Sequence, residues 1–122
     1  MRKLVLGLAM LMSTVAHAGQ PETVAVTYHV RPENEQALRS AIDRHRATGE
    51  RLGLFTGSHQ LFKGNGFFLE IFTWRDDSIP EAAPPEILEI WDEMNHLVDA
   101  KAGGLQFEEV HEVTPTPNEA GS

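Results

Sequence analysis

The run from Phe67 to Trp74 constrains the fold more than any other segment, because it is apolar on both faces of a strand. Side chains alternate between the two faces of a strand. One face would hold Phe67, Leu69 and Ile71, and the other Phe68, Glu70, Phe72 and Trp74. Such a strand needs a covering layer on each side. The segment therefore predicts an inner strand of a sheet that is covered on both faces.

Two further elements precede this strand. Thr23 to Val30 alternates with period two, which predicts a strand with Val24, Val26, Tyr28 and Val30 on one face and Ala25, Thr27 and His29 on the other. Glu33 to Leu52 predicts an amphipathic helix with Leu38, Ala41, Ile42, His45 and Leu52 on its apolar side. Gly53 is placed to end this helix, although Gly49 inside the last turn weakens it.

The next segments predict a hairpin. Gly64-Asn65-Gly66 separates Ser58–Lys63 from Phe67–Arg75, and an Asn-Gly step between such runs favours an antiparallel pair. Ser78-Ile79-Pro80-Glu81 has the pattern of a capping box, with Ser first and Glu three residues later, and predicts a short helical turn.

The last third of the chain predicts a helix, a strand and a tail. Glu86 to Lys101 is amphipathic and is closed by Gly103-Gly104, with Ile87, Ile90, Trp91, Met94, Leu97 and Val98 on its apolar side. Gln106 to Val113 predicts a strand, and Thr114 to Ser122 predicts a disordered tail because it has two Pro and no large apolar residue.

The resulting order is β-α-β-β-α-β, which predicts an α+β, ferredoxin-like domain with an antiparallel sheet in the spatial order four-one-three-two. Both helices then cover one face. We expect the other face to expose Phe68, Phe72 and Trp74, roughly 450 Å² of aromatic surface. A second copy of the chain is the simplest cover, so the sequence predicts a homodimer with a cavity between two sheets. A bound ligand or the tail folded over the sheet is the alternative.

Residues 1–18 have the three parts of a secretory signal peptide. Arg2-Lys3 is followed by the apolar run Leu4 to Met12 and by the small-x-small site Ala16-His17-Ala18. The apolar run is much shorter than the ~20 residues that a spanning helix needs, which argues against a membrane anchor. We therefore expect a periplasmic or secreted protein whose folded domain covers residues 19–113.

Composition excludes several classes of function. Without the signal peptide the chain has 8 basic and 18 acidic residues, a formal charge of −10. Nucleic acid and anionic membranes require a basic surface, so neither is an expected partner. The chain has no Cys, which rules out disulfides, thiolate nucleophiles and Cys-ligated metals.

The segment Phe68 to Arg75, a short Pro-containing turn and the helix start Glu86 to Trp91 resemble the antibiotic biosynthesis monooxygenase-like families of the dimeric α+β barrel superfamily. The likeness extends over roughly residues 23–113. It implies a two-sheet dimer that holds a small hydrophobic molecule. It also implies oxidation of small phenol- or quinol-type compounds by O₂ with no cofactor.

Many members of those families carry a His facing the cavity just after the third strand. This chain has Ala82-Ala83-Pro84-Pro85 at that place. The difference favours an alternative function, a non-catalytic ligand-binding or accessory dimer of the same fold.

Glu70 and His29 are the predicted catalytic residues. Glu70 lies among aromatic residues on the face expected to line the dimer cavity, where burial and a charged partner shift the pKa of a carboxyl in opposite directions. His29 is on the neighbouring strand and is expected to meet Glu70 and abstract a phenolic proton. Each could instead have a purely structural role, as an inter-subunit contact or a hydrogen-bonded strand residue. Predicted ligand contacts are Thr27, Phe68, Phe72 and Trp74.

The remaining histidines predict no metal site. His59 and His111 belong to the second and fourth strands, at opposite edges of the predicted sheet, and no two candidate ligands are close in sequence. His45 is expected to be a packing residue of the first helix.

Overall fold

The alternating segments pair into one antiparallel sheet in a computed structural model, which describes residues 19–116. The strands are β1 (Glu22–His29), β2 (Phe55–Gly64), β3 (Phe67–Trp74) and β4 (Leu105–Glu109). Their spatial order is β2-β3-β1-β4. The predicted four-one-three-two order and the ferredoxin-like arrangement are confirmed.

Both helices pack on the same face of the sheet. They are α1 (Glu35–Arg51) and α2 (Pro85–Leu97). The predicted apolar sides are confirmed, and their fully buried members are Leu38, Ala41, Ile42, His45, Ile87, Ile90 and Met94. On the outer side, Arg44 donates two hydrogen bonds of 2.9 and 2.7 Å to Glu93 and so links the two helices.

The prediction of which face of β3 the helices cover is wrong. Directly paired residues of antiparallel strands share a face, and Val26 pairs with Glu70 while Tyr28 pairs with Phe68. The helix-covered face of β1 therefore continues on β3 through Phe68, Glu70, Phe72 and Trp74, which are all buried. The periodicity of β3 alone could not decide the face, because both of its faces are apolar.

The uncovered side of the sheet, here called the open face, has its own apolar residues. Phe67, Leu69 and Ile71 of β3 are half-buried there, and Phe62 of β2, which pairs with Leu69, is 49% exposed. Ala25 and Thr27 of β1 belong to the same face.

Gly49 lowers the helix propensity of the last turn of α1, but it permits the tight packing of that turn. A Cβ at this position would lie 2.1 Å from Cε2 of Phe55. The helix continues to Arg51, and Gly53 follows with a φ of 70°, a conformation that suits Gly. The predicted ending at Gly53 is confirmed.

The second helix is shorter than predicted. It ends at Leu97 rather than Lys101, because Val98 is extended and the backbone N–H of Asp99 donates to the carbonyl of His29 at 2.7 Å. This bond ties the chain to β1 and leaves only a 3₁₀ turn, Ala100–Ala102, before the two glycines.

The predicted capping box at Ser78 to Glu81 is also wrong, because Ser78 does not cap the helical turn that follows. The hydroxyl and the N–H of Ser78 both donate to Oδ1 of Asp76 at 2.8 Å, so Asp76 organises this turn. A 3₁₀ turn at Pro80–Ala82 follows with no side-chain cap.

The predicted last strand is observed in part. β4 covers only the first half of the predicted range, and residues 110–116 have no regular secondary structure. The predicted signal peptide and the rest of the tail lie outside the described residues. None of the helices within residues 19–116 has the length and apolar character to cross a bilayer.

Candidate functional site

A buried carboxylate forms the centre of the candidate site. Glu70 of β3 is 0% exposed. Its Oε1 accepts a hydrogen bond of 2.5 Å from the hydroxyl of Tyr28, and its Oε2 lies 2.6 Å from Nε2 of His59. His45 of α1 approaches from the helix layer, with Nδ1 3.6 Å from Oε2. We call Tyr28, His45, His59 and Glu70 the polar cluster.

The donors around Glu70 keep its carboxyl ionised. Burial raises the pKa of this group, but the nearby His45 ring, the hydrogen bond from His59 and the hydrogen bond from Tyr28 together outweigh burial and lower the pKa to about 2. An ionised carboxylate only accepts hydrogen bonds, so His59 donates from Nε2. Burial and the negative charge of Glu70 raise the pKa of Tyr28 well above its usual value. The hydroxyl of Tyr28 therefore stays protonated and is the donor of the hydrogen bond to Glu70.

An irregularity in β2 brings His59 to the carboxylate. Thr56 pairs with Thr73 and Gln60 with Ile71, so three residues of β2 lie opposite the single residue Phe72. His59 is one of the three, and its ring stacks on that of Phe72 with centroids 5.0 Å apart. Its Nδ1 is buried and has no hydrogen-bond partner.

Trp91 of α2 fixes the tautomer of His45. Its Nε1–H donates to Nε2 of His45 at 3.1 Å. An indole is only a donor, so Nε2 of His45 carries no proton. The proton of the ring is then on Nδ1, which faces Glu70 but is too far from it for a hydrogen bond.

A cavity of about 690 Å³ lies beside the polar cluster, between the sheet and α2. Tyr28 and His45 are part of its wall, whereas Glu70 and His59 lie behind them. The other inner lining is mainly apolar and aromatic, and consists of Val24, Val26, Phe72, Trp74, Trp91, Met94 and Leu105. A cavity of this size and lining is typical of sites for small organic molecules.

The carboxylates that line this cavity form an acidic rim. They are Glu22, Asp77, Glu81, Glu108 and Glu109. Partial burial and the charges of Glu109, Asp77 and Glu81 raise the pKa of Glu22. No Lys or Arg among the described residues lines the cavity.

The predicted site residues are divided between the two faces. Glu70 is central, and Phe72 and Trp74 line the cavity, but Phe68 is part of the closed core. The predicted meeting of His29 with Glu70 is wrong, because Val26 is the partner of Glu70 and His29 belongs to the open face.

The predicted site residues His29 and Thr27 both lie on the open face and therefore do not meet Glu70. His29 lies near Phe67, with ring centroids 6.5 Å apart, and Thr27 pairs with Leu69 and Gln106. The residues of β3 that were assigned to a cavity between two sheets lie instead on the face that the helices cover.

Sequence reasoning missed Tyr28, His45, His59 and Trp91 as members of one site. Tyr28 and His45 stood out only as polar atoms within apolar stripes, a signal that packing residues also give. The β2 irregularity that turns His59 inward has one local signal, Gly57, which adopts a φ of 75°. His111 is exposed, and its Nε2 lies 3.6 Å from a carboxylate oxygen of Glu109.

Residues 19–116 contain no group of three or more His, Asp or Glu side chains arranged to hold a metal ion. Within the polar cluster, the two oxygens of Glu70 are already used by hydrogen bonds with Tyr28 and His59.

Comparison with known proteins identifies the fold and no family. No protein-family model matches the chain, and no curated protein matches it in sequence. One similar solved structure is a conserved protein of unknown function from Bacteroides thetaiotaomicron VPI-5482, described as a possible oxidoreductase. It is 13% identical, has a TM-score of 0.63, and the alignment covers 76% of this chain and 98% of that one.

A second similar structure is Rv0793 from Mycobacterium tuberculosis. It is 17% identical, with a TM-score of 0.62, and the alignment covers 79% of this chain and 98% of Rv0793. At these identities the likeness shows a shared α+β fold with a four-stranded antiparallel sheet and two helices.

Proposed function

We propose that the protein binds a small, mostly apolar aromatic molecule in the cavity under α2 and oxidises it with O₂ without a cofactor. The observation that carries the proposal is the Tyr28–Glu70–His59 chain of hydrogen bonds, which begins at the wall of an aromatic cavity. The description of one structural neighbour as a possible oxidoreductase is consistent with it.

The chemistry that this arrangement supports is removal of a phenolic proton. A bound phenol donates to the hydroxyl oxygen of Tyr28, which passes its own proton toward Glu70. The ionised Glu70 is a weak base and Nε2 of His59 already carries a proton, so Glu70 holds the transferred proton only until the reduced oxygen takes it up to form water. The resulting phenolate transfers electrons to O₂ more readily than the phenol does.

The reaction balances with O₂ as the only oxidant. A phenol with a free para position and one O₂ give a para-quinone and one water. One oxygen atom enters the ring, the other leaves as water with the phenolic proton and the displaced ring hydrogen, and the aromatic substrate supplies all four electrons.

The test is O₂ consumption with 1-naphthol, followed by the absorbance of 1,4-naphthoquinone and by ¹⁸O₂ labelling. We expect turnover with one labelled atom in the quinone, and a loss of at least tenfold in Tyr28→Phe. Glu89→Gln, at an exposed position of α2 outside the cavity lining, is the control and should retain the rate. Absence of enzyme-dependent O₂ uptake with the wild type would rule out the oxidation.

A second candidate function, ligand binding without turnover, is favoured by one observation. The unprotonated nitrogen of His45, Nε2, is already used by Trp91, and its protonated Nδ1 faces Glu70, so His45 offers a ligand no free base. Under this function the same naphthol binds, and Tyr28→Phe changes its affinity while no quinone is formed in any variant.

We also propose that the chain acts as a homodimer through its open face. Phe62, Phe67, Leu69 and Ile71 leave apolar surface there that a second copy would bury. Leu69→Asp should dissociate the dimer in sedimentation velocity, and the exposed Glu112→Gln should not. A wild type that sediments as a monomer at micromolar concentration would overturn the dimer.

Finally, we propose that the protein works after export. Expression of the whole chain in a Gram-negative host should give a product whose first residue is Gly19, as read by mass spectrometry. A product that retains Met1 and stays in the cytoplasm would contradict export.

A further inference from the structure

We propose that the cavity selects phenolic amines: an aromatic ring with a hydroxyl that donates to Tyr28 at the inner end, and a positively charged amine at the acidic rim. The inference rests on the proposed function only in taking this cavity as an aromatic ligand site. It does not depend on oxidation.

The inner end requires a donor from the ligand. Tyr28 is 2% exposed and its proton is used by the 2.5 Å hydrogen bond to Glu70. Turning that proton toward a ligand would leave Oε1 of a fully buried carboxylate without its partner, which is costly. The Tyr28 oxygen can therefore offer a ligand only its lone pairs. An O–H or N–H group satisfies them, and an ether or a carbonyl does not.

His45 cannot replace Tyr28 as a donor at this end. Its Nε2 already accepts from Trp91, and its one proton is on Nδ1, which faces Glu70. The tight contacts around Glu70 thus give the inner wall a fixed polarity, in which the available polar atom is an acceptor.

The outer end favours positive charge. Glu22, Asp77 and Glu109 all line this end of the cavity, and the charges of Glu109 and Asp77 add to partial burial in raising the pKa of Glu22. With no Lys or Arg in the lining, a ligand carboxylate would add a like charge, whereas an ammonium group would relieve the repulsion. The rings of Trp74 and Trp91 in the wall also attract a cation.

The distance between the two ends suits a small molecule. At the inner end, the hydroxyl of Tyr28 reaches Glu70, and the residue of β1 opposite Glu70 is Val26. At the outer end is Glu22, which lies four residues before Val26 on the same strand. Four residues of a strand cover about 13 Å. One ring, a two-carbon chain and a hydrogen bond of about 2.8 Å at each end match this length.

The test measures binding of four related compounds to the purified protein: tyramine, its O-methyl ether, the neutral alcohol tyrosol and the anion 4-hydroxyphenylacetate. The only two tryptophans, Trp74 and Trp91, both line the cavity, so intrinsic fluorescence excited beyond the absorption of the phenols reports occupancy. Isothermal titration calorimetry gives the affinities independently.

We expect tyramine to bind at least about tenfold more tightly than its O-methyl ether and than 4-hydroxyphenylacetate, with tyrosol in between. In Tyr28→Phe the preference for the free hydroxyl should fall to less than about twofold. Near-UV circular dichroism establishes that this variant is folded. If it is not, the O-methyl ether comparison in the wild type tests the same point.

The rim is tested by the double variant Glu22→Gln/Glu109→Gln, which should lose most of the preference for tyramine over tyrosol. The matched control Glu89→Gln/Glu112→Gln removes two exposed carboxylates that do not line the cavity and should keep that preference. The preference should also weaken as salt is added.

Each outcome is decisive. Equal binding of tyramine and 4-hydroxyphenylacetate overturns the selection by charge, and equal binding of tyramine and its ether overturns the selection by Tyr28, while the aromatic site itself stands. If none of the four compounds binds, this inference fails, whereas the proposed function is still decided by 1-naphthol. Quinone formation from 1-naphthol is measured separately and does not enter these results.

Discussion

The layer between the helices and the sheet has two unlike ends. Near α1 it is closely packed, with the ring of Phe55 4.9 Å from that of Phe72 and 5.1 Å from that of His59, and with a carboxylate enclosed among donors. Near α2 the same layer contains a cavity of about 690 Å³. Contacts at the closed end hold Tyr28 and His45 in fixed orientations. At the hollow end, the same two side chains form part of the cavity wall that a ligand would contact.

This difference teaches how a small domain can build a rigid site without disulfides or a metal ligand set. Empty volume costs stability, since the atoms around it lose contacts. Packing and hydrogen bonds at the α1 end can offset that cost. The two ends should therefore respond differently to substitution.

The largest expected effect is on removal of the enclosed carboxylate. Glu70→Leu leaves the hydroxyl of Tyr28 and the Nε2–H of His59 buried without an acceptor, and should lower the free energy of unfolding by about 3–5 kcal/mol. Urea denaturation measures the change. Glu89→Leu, the same substitution at an exposed position of α2, is the control and should change stability by no more than about 0.5 kcal/mol. A loss below about 1 kcal/mol for Glu70→Leu would show that the closed end does not depend on this group.

Acid should weaken the closed end next. The Glu70 carboxyl has its pKa lowered from 4.5 to about 2, so its contribution to stability is complete above pH 4.5 and is lost as the pH falls toward 2. The shift corresponds to about 3 kcal/mol. Urea denaturation at several pH values should show a smaller loss in Glu70→Gln than in the wild type over this interval. Parallel curves for the two proteins would contradict the lowered pKa.

Adding one carbon atom at each end compares their packing directly. Gly49→Ala places a Cβ 2.1 Å from the ring of Phe55, and should destabilise by about 1–3 kcal/mol although Ala favours a helix. Val24→Ile adds a methylene beside the cavity and should cost less than about 1 kcal/mol. Thermal unfolding of both variants gives the comparison. An equal loss of stability in Gly49→Ala and Val24→Ile would mean that the cavity beside Val24 is closed in solution.

The smallest effect concerns the link between the two ends. Trp91→Phe removes the donor to Nε2 of His45 and should cost about 1 kcal/mol. ¹⁵N NMR of the imidazole should show the proton on Nδ1 in the wild type and a mixture of tautomers in the variant. A wild-type His45 with its proton on Nε2 would contradict the hydrogen bond from Trp91.

Much of the fold follows from local sequence patterns. Alternation identified β1, and the Asn65–Gly66 step identified the hairpin, because both signals act over a few residues. Hydrophobic spacing gave the correct sides of α1 and α2. The end of α2 was missed, since it depends on a backbone bond between Asp99 and His29, far apart in sequence.

Of the candidate site, the sequence predicted the central residue and two wall residues, Phe72 and Trp74. Glu70 was identifiable as a carboxylate among aromatic residues, but its partners depend on which face of β3 meets the helices. The register with β1, where Val26 pairs with Glu70, decides which face of β3 meets the helices. The periodicity of a strand that is apolar on both faces does not reveal this register. His59 could not be placed without knowing the irregularity of β2.

The three-against-one step in β2 has a consequence for assembly. β2 is an edge strand, and an uninterrupted edge is a template on which other chains add as further strands. The step at Gly57 to His59 breaks the regular outward row of N–H and C=O groups, and the opposite edge, β4, has only five residues. The irregularity that places the imidazole of His59 beside Glu70 therefore also makes this edge a poorer template for the addition of strands from other chains.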